Sequence, residues 1–212
     1  MAVAEIWPGG GWYTEILAPL LKARGQYHAV LFDRQSDRAF VKSMNDAMVS
    51  RIAAAPAIYG DVQFSDFTQR GENIAPDNSL DRVLTFRNLH NWMAGEYADV
   101  AFKTFYRALK PGGMLGMTDH RANGDRQIDL KAKNGYVTEA YAIELAQAAG
   151  FELVERAEIN ANPLDTKDYA DGVWTLPPTL RNAAKDAPET TAAYQAIGES
   201  DRMTLLFRKP LE

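Results

Sequence analysis

Arg87, Asn88, His90, Asn91 and Trp92 crowd into one short stretch, TFRNLHNW, from Thr85 to Trp92. An imidazole ionises near neutral pH, so His90 is a candidate general base for a reaction at working pH. The run TDHRANGDRQIDLKAK, Thr118 to Lys133, sets His120 beside Asp119 and adds Arg121, Arg126, Lys131 and Lys133, a set suited to an anionic substrate. A third stretch, VAEIWPGGGWYTEILAPLL from Val3 to Leu21, puts Glu5 just ahead of Gly9, Gly10 and Gly11. Bare backbone there lets a ligand come close, and the helix it opens turns its first amides outward, which favours a carboxylate or phosphate. Asp33 follows about twenty residues beyond the glycines, where a carboxylate can accept both ribose hydroxyls of a nucleoside. Asp66 offers an acceptor for an exocyclic amine, and Phe67 a flat apolar neighbour for a base. Each has a plainer reading as well: a tight turn, an exposed strand end, a loop hydrogen bond or a core aromatic.

These residues matter only if the fold brings them together. Short apolar runs at Val3–Trp7, Tyr27–Phe32, Val62–Ser65, Leu80–Phe86 and Met114–Thr118 read as strands, each ending in polar residues. Helical spacing covers Trp12–Ala23 (with Pro19 marking a kink or an early stop), Ser36–Ala55, Tyr97–Leu109 and Glu139–Ala149. LKPGG, Leu109–Gly113, reads as a helix stop and turn, and Phe151–Ile159 and Arg202–Lys209 give two more strands. The polar stretch from Asn160 to Asp201, with Pro177-Pro178 and a helical patch at Thr191–Ile197, reads as an insertion or lid. Alternating strands and helices predict an α/β domain with a mostly parallel sheet covered on both faces. Right-handed crossovers then align Glu5, Asp33, Asp66, Arg87 with Asn88, and Asp119 with His120 along one sheet edge, where such sheets bind ligands.

Composition narrows the chemistry further. The 212 residues suffice for a single domain with its own core. With no cysteine, disulfides, thiolate nucleophiles and zinc–cysteine sites are excluded. The three histidines, His28, His90 and His120, lie far apart in sequence, so no metal site is expected. A net charge of −5 argues against a nucleic-acid groove, and no apolar run is long enough to span a bilayer. The expected partner is a small molecule and the expected location cytoplasmic. Oligomeric state is not legible. The first strand starts almost at Met1 with nothing upstream to cover it, so a preceding segment, with any targeting signal it carries, is an expectation too.

Taken in order, EIWPGGG, Asp33, Asp66, DRVLTFRNLHNW and ALKPGGMLGMTDH resemble the motifs of the class I S-adenosylmethionine-dependent methyltransferases, and EIWPGGGWYTE, TFRNLHNW and DHRA a little-characterised bacterial branch of them. The resemblance covers about Ala2 to Phe151 and then Arg202 to Lys209. It implies a Rossmann-like, seven-stranded, mostly parallel sheet with an antiparallel last strand, in one domain over 1–212 with 160–201 as insertion or lid. It implies S-adenosyl-L-methionine as cofactor, with the methionine end near Glu5 and the Gly9-Gly10-Gly11 turn, the ribose on Asp33, and the adenine beside Asp66 and Phe67. The methyl would then point toward Asn88, His90 and His120, the last two as candidate catalytic residues. Trp7 departs from the pattern by standing where most such families have their first glycine. Two alternatives stay open: a cofactor-binding protein of the same fold with weak or no activity, and a NAD-dependent oxidoreductase. The second is disfavoured because Thr14 occupies the third glycine position of a dinucleotide fingerprint.

Overall fold

The computed structural model describes residues 1–124, 127–182 and 187–211. A seven-stranded sheet in the order β3-β2-β1-β4-β5-β7-β6 organises the chain. Its strands are β1 (Ala2–Ile6), β2 (Gln26–Leu31), β3 (Val62–Asp66), β4 (Leu80–Phe86), β5 (Leu109–His120), β6 (Glu152–Ala157) and β7 (Arg202–Arg208). Pairings from β3 across to β5 are all parallel, and β7 inserts antiparallel between β5 and β6. Strand order reverses between β1 and β4, which opens a crevice at their carboxyl ends.

Side-chain alternation along the strands supplies two cores. Ala4 and Ile6 of β1 join Val83, Leu115, Met117 and Phe207 in the larger one, which α5 (Ala98–Ala108) closes with Phe102 and Phe105. Val3, on the other face, packs with Tyr27, Ala29 and Leu31 under α1 (Thr14–Leu21), α2 (Ala39–Ala54) and α3 (Pro56–Tyr59). Glu5 shares that second face by strand parity.

The elements depart from the sequence reading in three places. NLHNW, read as loop, contains a short helix, α4 (Leu89–Ala94), whose first turn carries His90. β5 begins at Leu109 and continues through Asp119 and His120. The LKPGG segment is therefore absorbed as an irregularity in the β4–β5 pairing, with Gly112 at φ 77. Pro19 lies inside α1, which ends two residues later, the early stop expected of it. β6 spans Glu152–Ala157, shorter than the apolar run implied. α6 (Glu139–Ala148) follows β5, and the 160–201 stretch holds a short 3-10 turn at Gly172–Thr175 and α7 (Pro188–Ile197). No helix among the described residues is long and apolar enough to cross a membrane.

Candidate active site at the carboxyl edge of the sheet

The glycine turn leaves β1 through Trp7, a non-glycine residue at φ 50. Two hydrogen bonds hold it there: its amide donates to the Val30 carbonyl at 2.7 Å, and its indole Nε1 donates to the Phe67 carbonyl at 3.1 Å. The ring lies 4.8 Å from Phe32 and 5.8 Å from Trp92, centre to centre. Core contacts thus offset the backbone strain that a glycine would avoid. Past it, Gly9 (φ 56) and Gly10 face open space where a side chain would stand. Gly11 (φ 83) is pressed instead against Arg51 and Met48 on the α2 side. Arg51 donates to the Gly10 carbonyl at 2.6 Å, so the turn is pinned from behind and bare in front.

Glu5 does not reach that bare side. Its carboxylate is buried, accepting a 3.0 Å hydrogen bond from Thr14 and another from the Tyr27 hydroxyl. Burial raises its pKa, and the two hydroxyl donors only partly counter the rise. Its place in the structure is under the turn, tying β1 and β2 to the start of α1. The physical reason is strand parity: position 5 shares the α1–α2 face with Val3.

Asp33 does face a cleft. Trp7, Phe32, Asp33, Arg38, Thr68 and Arg70 surround about 260 Å³ between the ends of β1, β2 and β3. Asp33 accepts from the Gln35 amide at 2.9 Å and pairs loosely with Arg70 at 3.9 Å. Asp66 is absent from that lining and pairs with Arg34 at 3.2 Å. Phe67 is fully buried against Trp92 and Phe105, so it floors the cleft without offering a free face. Asn88 is also buried, and its amide donates to the Ile6 carbonyl (2.9 Å) and Thr85 hydroxyl (3.1 Å), bracing the junction of β1 and β4.

His90 and His120, thirty positions apart in sequence, meet because β4 and β5 are parallel neighbours; their rings lie 5.3 Å apart. Asp119, fully buried between them, accepts from His90 Nδ1 at 2.9 Å, from the amides of Leu89 and His120 at 2.7 Å each, and from the His90 amide at 3.4 Å. Burial alone would raise this carboxyl, but the charge and hydrogen bond of His90, with His120, hold it below the ordinary range. His120 shares a 2.5 Å hydrogen bond with Ser200, and burial drives its pKa down to about 3, so it is neutral at physiological pH. Trp174, from the segment between β6 and β7, sets its ring 6.1 Å from His90, and Arg181 stacks on Trp174 at 4.5 Å.

That segment is strapped down. Arg121 donates to Asp201 and Glu158 and lies 3.7 Å from Glu139. Tyr136 donates to Asp165 (2.9 Å), and Lys167 pairs with Asp201 at 2.7 Å. The basic run expected to bind an anion is therefore largely spent: Arg121 is neutralised by acids and Lys131 pairs with Glu96. Arg126 lies outside the described residues.

Sequence comparison places the methyltransferase domain family on residues 6–117, just over half of the chain. The chain belongs to that family. No curated protein matches it by sequence. Among solved structures, a SAM-dependent methyltransferase from Aquifex aeolicus is similar at TM-score 0.61 and 12% identity, over 99% of this chain and 82% of that one. A SAM-dependent methyltransferase from Methanosarcina mazei gives TM-score 0.60 and 13% identity, over 100% and 93%. The [4+2]-cyclase SpnF gives 0.60 and 19%, over 100% and 75%. At such identities the likeness speaks to fold, and the cyclase shows that the fold also carries other chemistry. The strand order, with its antiparallel β7, is the Rossmann-like class I arrangement.

As a methyltransferase the chain uses S-adenosylmethionine, and its residues fit that group: open backbone at Gly9 and Gly10, and a carboxylate on a cleft beside Trp7. Of the residues packed around His90 and His120, sequence reasoning missed two, Ser200 and Trp174, and one contact of a third. Asp119 was visible, but its bond to His90 was not; Ser200 and Trp174 sit in the stretch read only as an insertion. Only the β5–β7 pairing, which lays Arg202 beside His120, brings Ser200 near.

Proposed function

We propose that this methyltransferase modifies a small molecule at an oxygen or nitrogen that carries a proton, with His90 accepting that proton. The supporting observation is the buried Asp119–His90 pair at the carboxyl ends of β4 and β5. With Nδ1–H committed to a carboxylate, Nε2 is the nitrogen left to take a proton, and Asp119 stabilises the imidazolium that forms. Held in the family's manner, the cofactor would lie against Gly9 and Gly10, its ribose on Asp33 and its adenine in the cleft beside Trp7 and Phe32. When bound, it supplies a methyl group on a sulfonium, electrophilic and set for in-line displacement. Asn88 fixes the junction of β1 and β4 beneath the reacting centre, and Trp174 keeps bulk water from His90. His120, neutral and bonded to Ser200, acts as a polar wall beside His90. The net negative charge and the cap over His90 favour a small acceptor over a nucleic acid.

Transfer of labelled methyl from S-adenosylmethionine into a fractionated cell extract tests this directly. Label is expected in the low-mass fraction, and His90→Ala should lower that transfer more than it lowers affinity for S-adenosylhomocysteine. Label confined to protein or nucleic acid, or a variant that loses affinity with turnover unchanged, would overturn the reading.

A further inference from the structure

Outside the cleft, one cluster of side chains among the described residues has metal-binding chemistry that methyl transfer does not require. One donor atom each from His90, Asp119 and His120 lie within 4.8 Å of one another, and all three side chains are buried. We propose that these residues form a binding site for a first-row divalent transition ion. Two imidazoles and one carboxylate are a donor set that such ions accept while keeping further positions open for water.

Two features of the cluster favour an ion over a simple packing of polar residues. The His120 ring is oriented in advance by Ser200, as a metal-binding imidazole is when a neighbour fixes its other nitrogen, and His90 Nδ1 and Asp119 Oδ1 already face each other at 2.9 Å, where an ion would take the place of the shared proton. Trp174 lies against His90 and Tyr136 beside His120, so aromatic rings flank both imidazoles. Arg87 and Arg202 bring positive charge toward His120, and the Asp119 carboxylate offsets it. An ion bound here occupies the nitrogen lone pairs, so it acts as an inhibitor of the transfer proposed above; that consequence, unlike the site itself, rests on His90 being the base.

Chelator-stripped full-length protein titrated with cobalt(II) provides the test, followed by visible absorption, with zinc(II) calorimetry alongside. The expected result is one ion per chain, with cobalt bands that zinc abolishes. His120→Ala should lose the bands, and Ser200→Ala, which removes only the orienting hydroxyl, should weaken binding by about 10–100-fold. Circular dichroism of each variant separates lost ligation from lost fold. Absence of cobalt bands in the unmodified chain, or equal binding by it and folded His120→Ala or His90→Gln, would refute the site. Titration with S-adenosylhomocysteine in the same samples is independent of the metal, so failure of the cofactor reading would show separately.

Discussion

Replacing Asp119 by asparagine changes one atom type at the centre of the site, where every hydrogen-bond partner is fixed by the fold. The carboxylate receives four donors: the amides of Leu89, His90 and His120, and His90 Nδ1. An asparagine oxygen can keep the amides of Leu89 and His90, which share one carboxylate oxygen. Its NH₂ group then faces the other two donors. His90 can adapt by moving its proton to Nε2 and accepting at Nδ1, but the His120 amide cannot, and it stays buried and unpaired. One such amide costs about 1–3 kcal/mol. For a chain of this size that lowers the melting temperature by roughly 2–12 °C. The tautomer change matters more for function, because Nε2 now carries a proton and cannot take one. Turnover should fall about 10²–10⁴-fold, the usual worth of a general base. Affinity for S-adenosylhomocysteine, followed by tryptophan fluorescence with Trp7 on the cleft, should stay within about twofold. Turnover near that of the unmodified protein would sink the base assignment, and an unchanged melting temperature would show that the four hydrogen bonds do not anchor β5 to α4.

Glu5→Gln should keep both hydroxyl donors while removing a charge that burial disfavours. The folded carboxyl binds its proton more tightly than the unfolded one, so its stabilising effect is fully present below the ordinary value of 4.5 and is lost as pH rises through the raised folded value. In urea denaturation the variant should match or exceed the parent at pH 7.5, with the difference shrinking toward pH 4.5; a variant much weaker at pH 7.5 would contradict a purely supporting role. Gly10→Ala meets open space and should leave stability within about 0.5 kcal/mol while weakening cofactor binding. Gly11→Ala, at φ 83 and 2.6 Å from Arg51, should destabilise the chain by roughly 1–3 kcal/mol. Equal effects from the two alanines, in melting and in cofactor titration, would show that the turn is not bare on one side only. Asp33→Ala should cost about 1.5–3 kcal/mol of S-adenosylhomocysteine affinity, the range of a hydrogen bond to a charged group; a loss below twofold would remove Asp33 from the ribose site.

Periodicity carried the α/β class and the run of strands and helices, while the antiparallel last strand was legible only through the family resemblance. Each buried strand is a local apolar run, and strand–helix alternation leaves few topologies once crossovers are right-handed. The glycines and Asp33 were legible for the same reason, since a turn that needs bare backbone and a carboxylate at a strand end are both local statements. What the sequence could not determine was partnership. Glu5 looked like a ligand for the cofactor, yet strand parity buries it under Tyr27 and Thr14. Phe67 looked like a platform and became floor; Arg121 looked like an anion trap and was neutralised by Asp201 and Glu158. His90, Asp119, His120 and Ser200 form one cluster only because β4, β5 and β7 lie side by side. Hydrogen bonds and ion pairs act over a few ångströms, and it is the sheet, not spacing along the chain, that sets which side chains come that close.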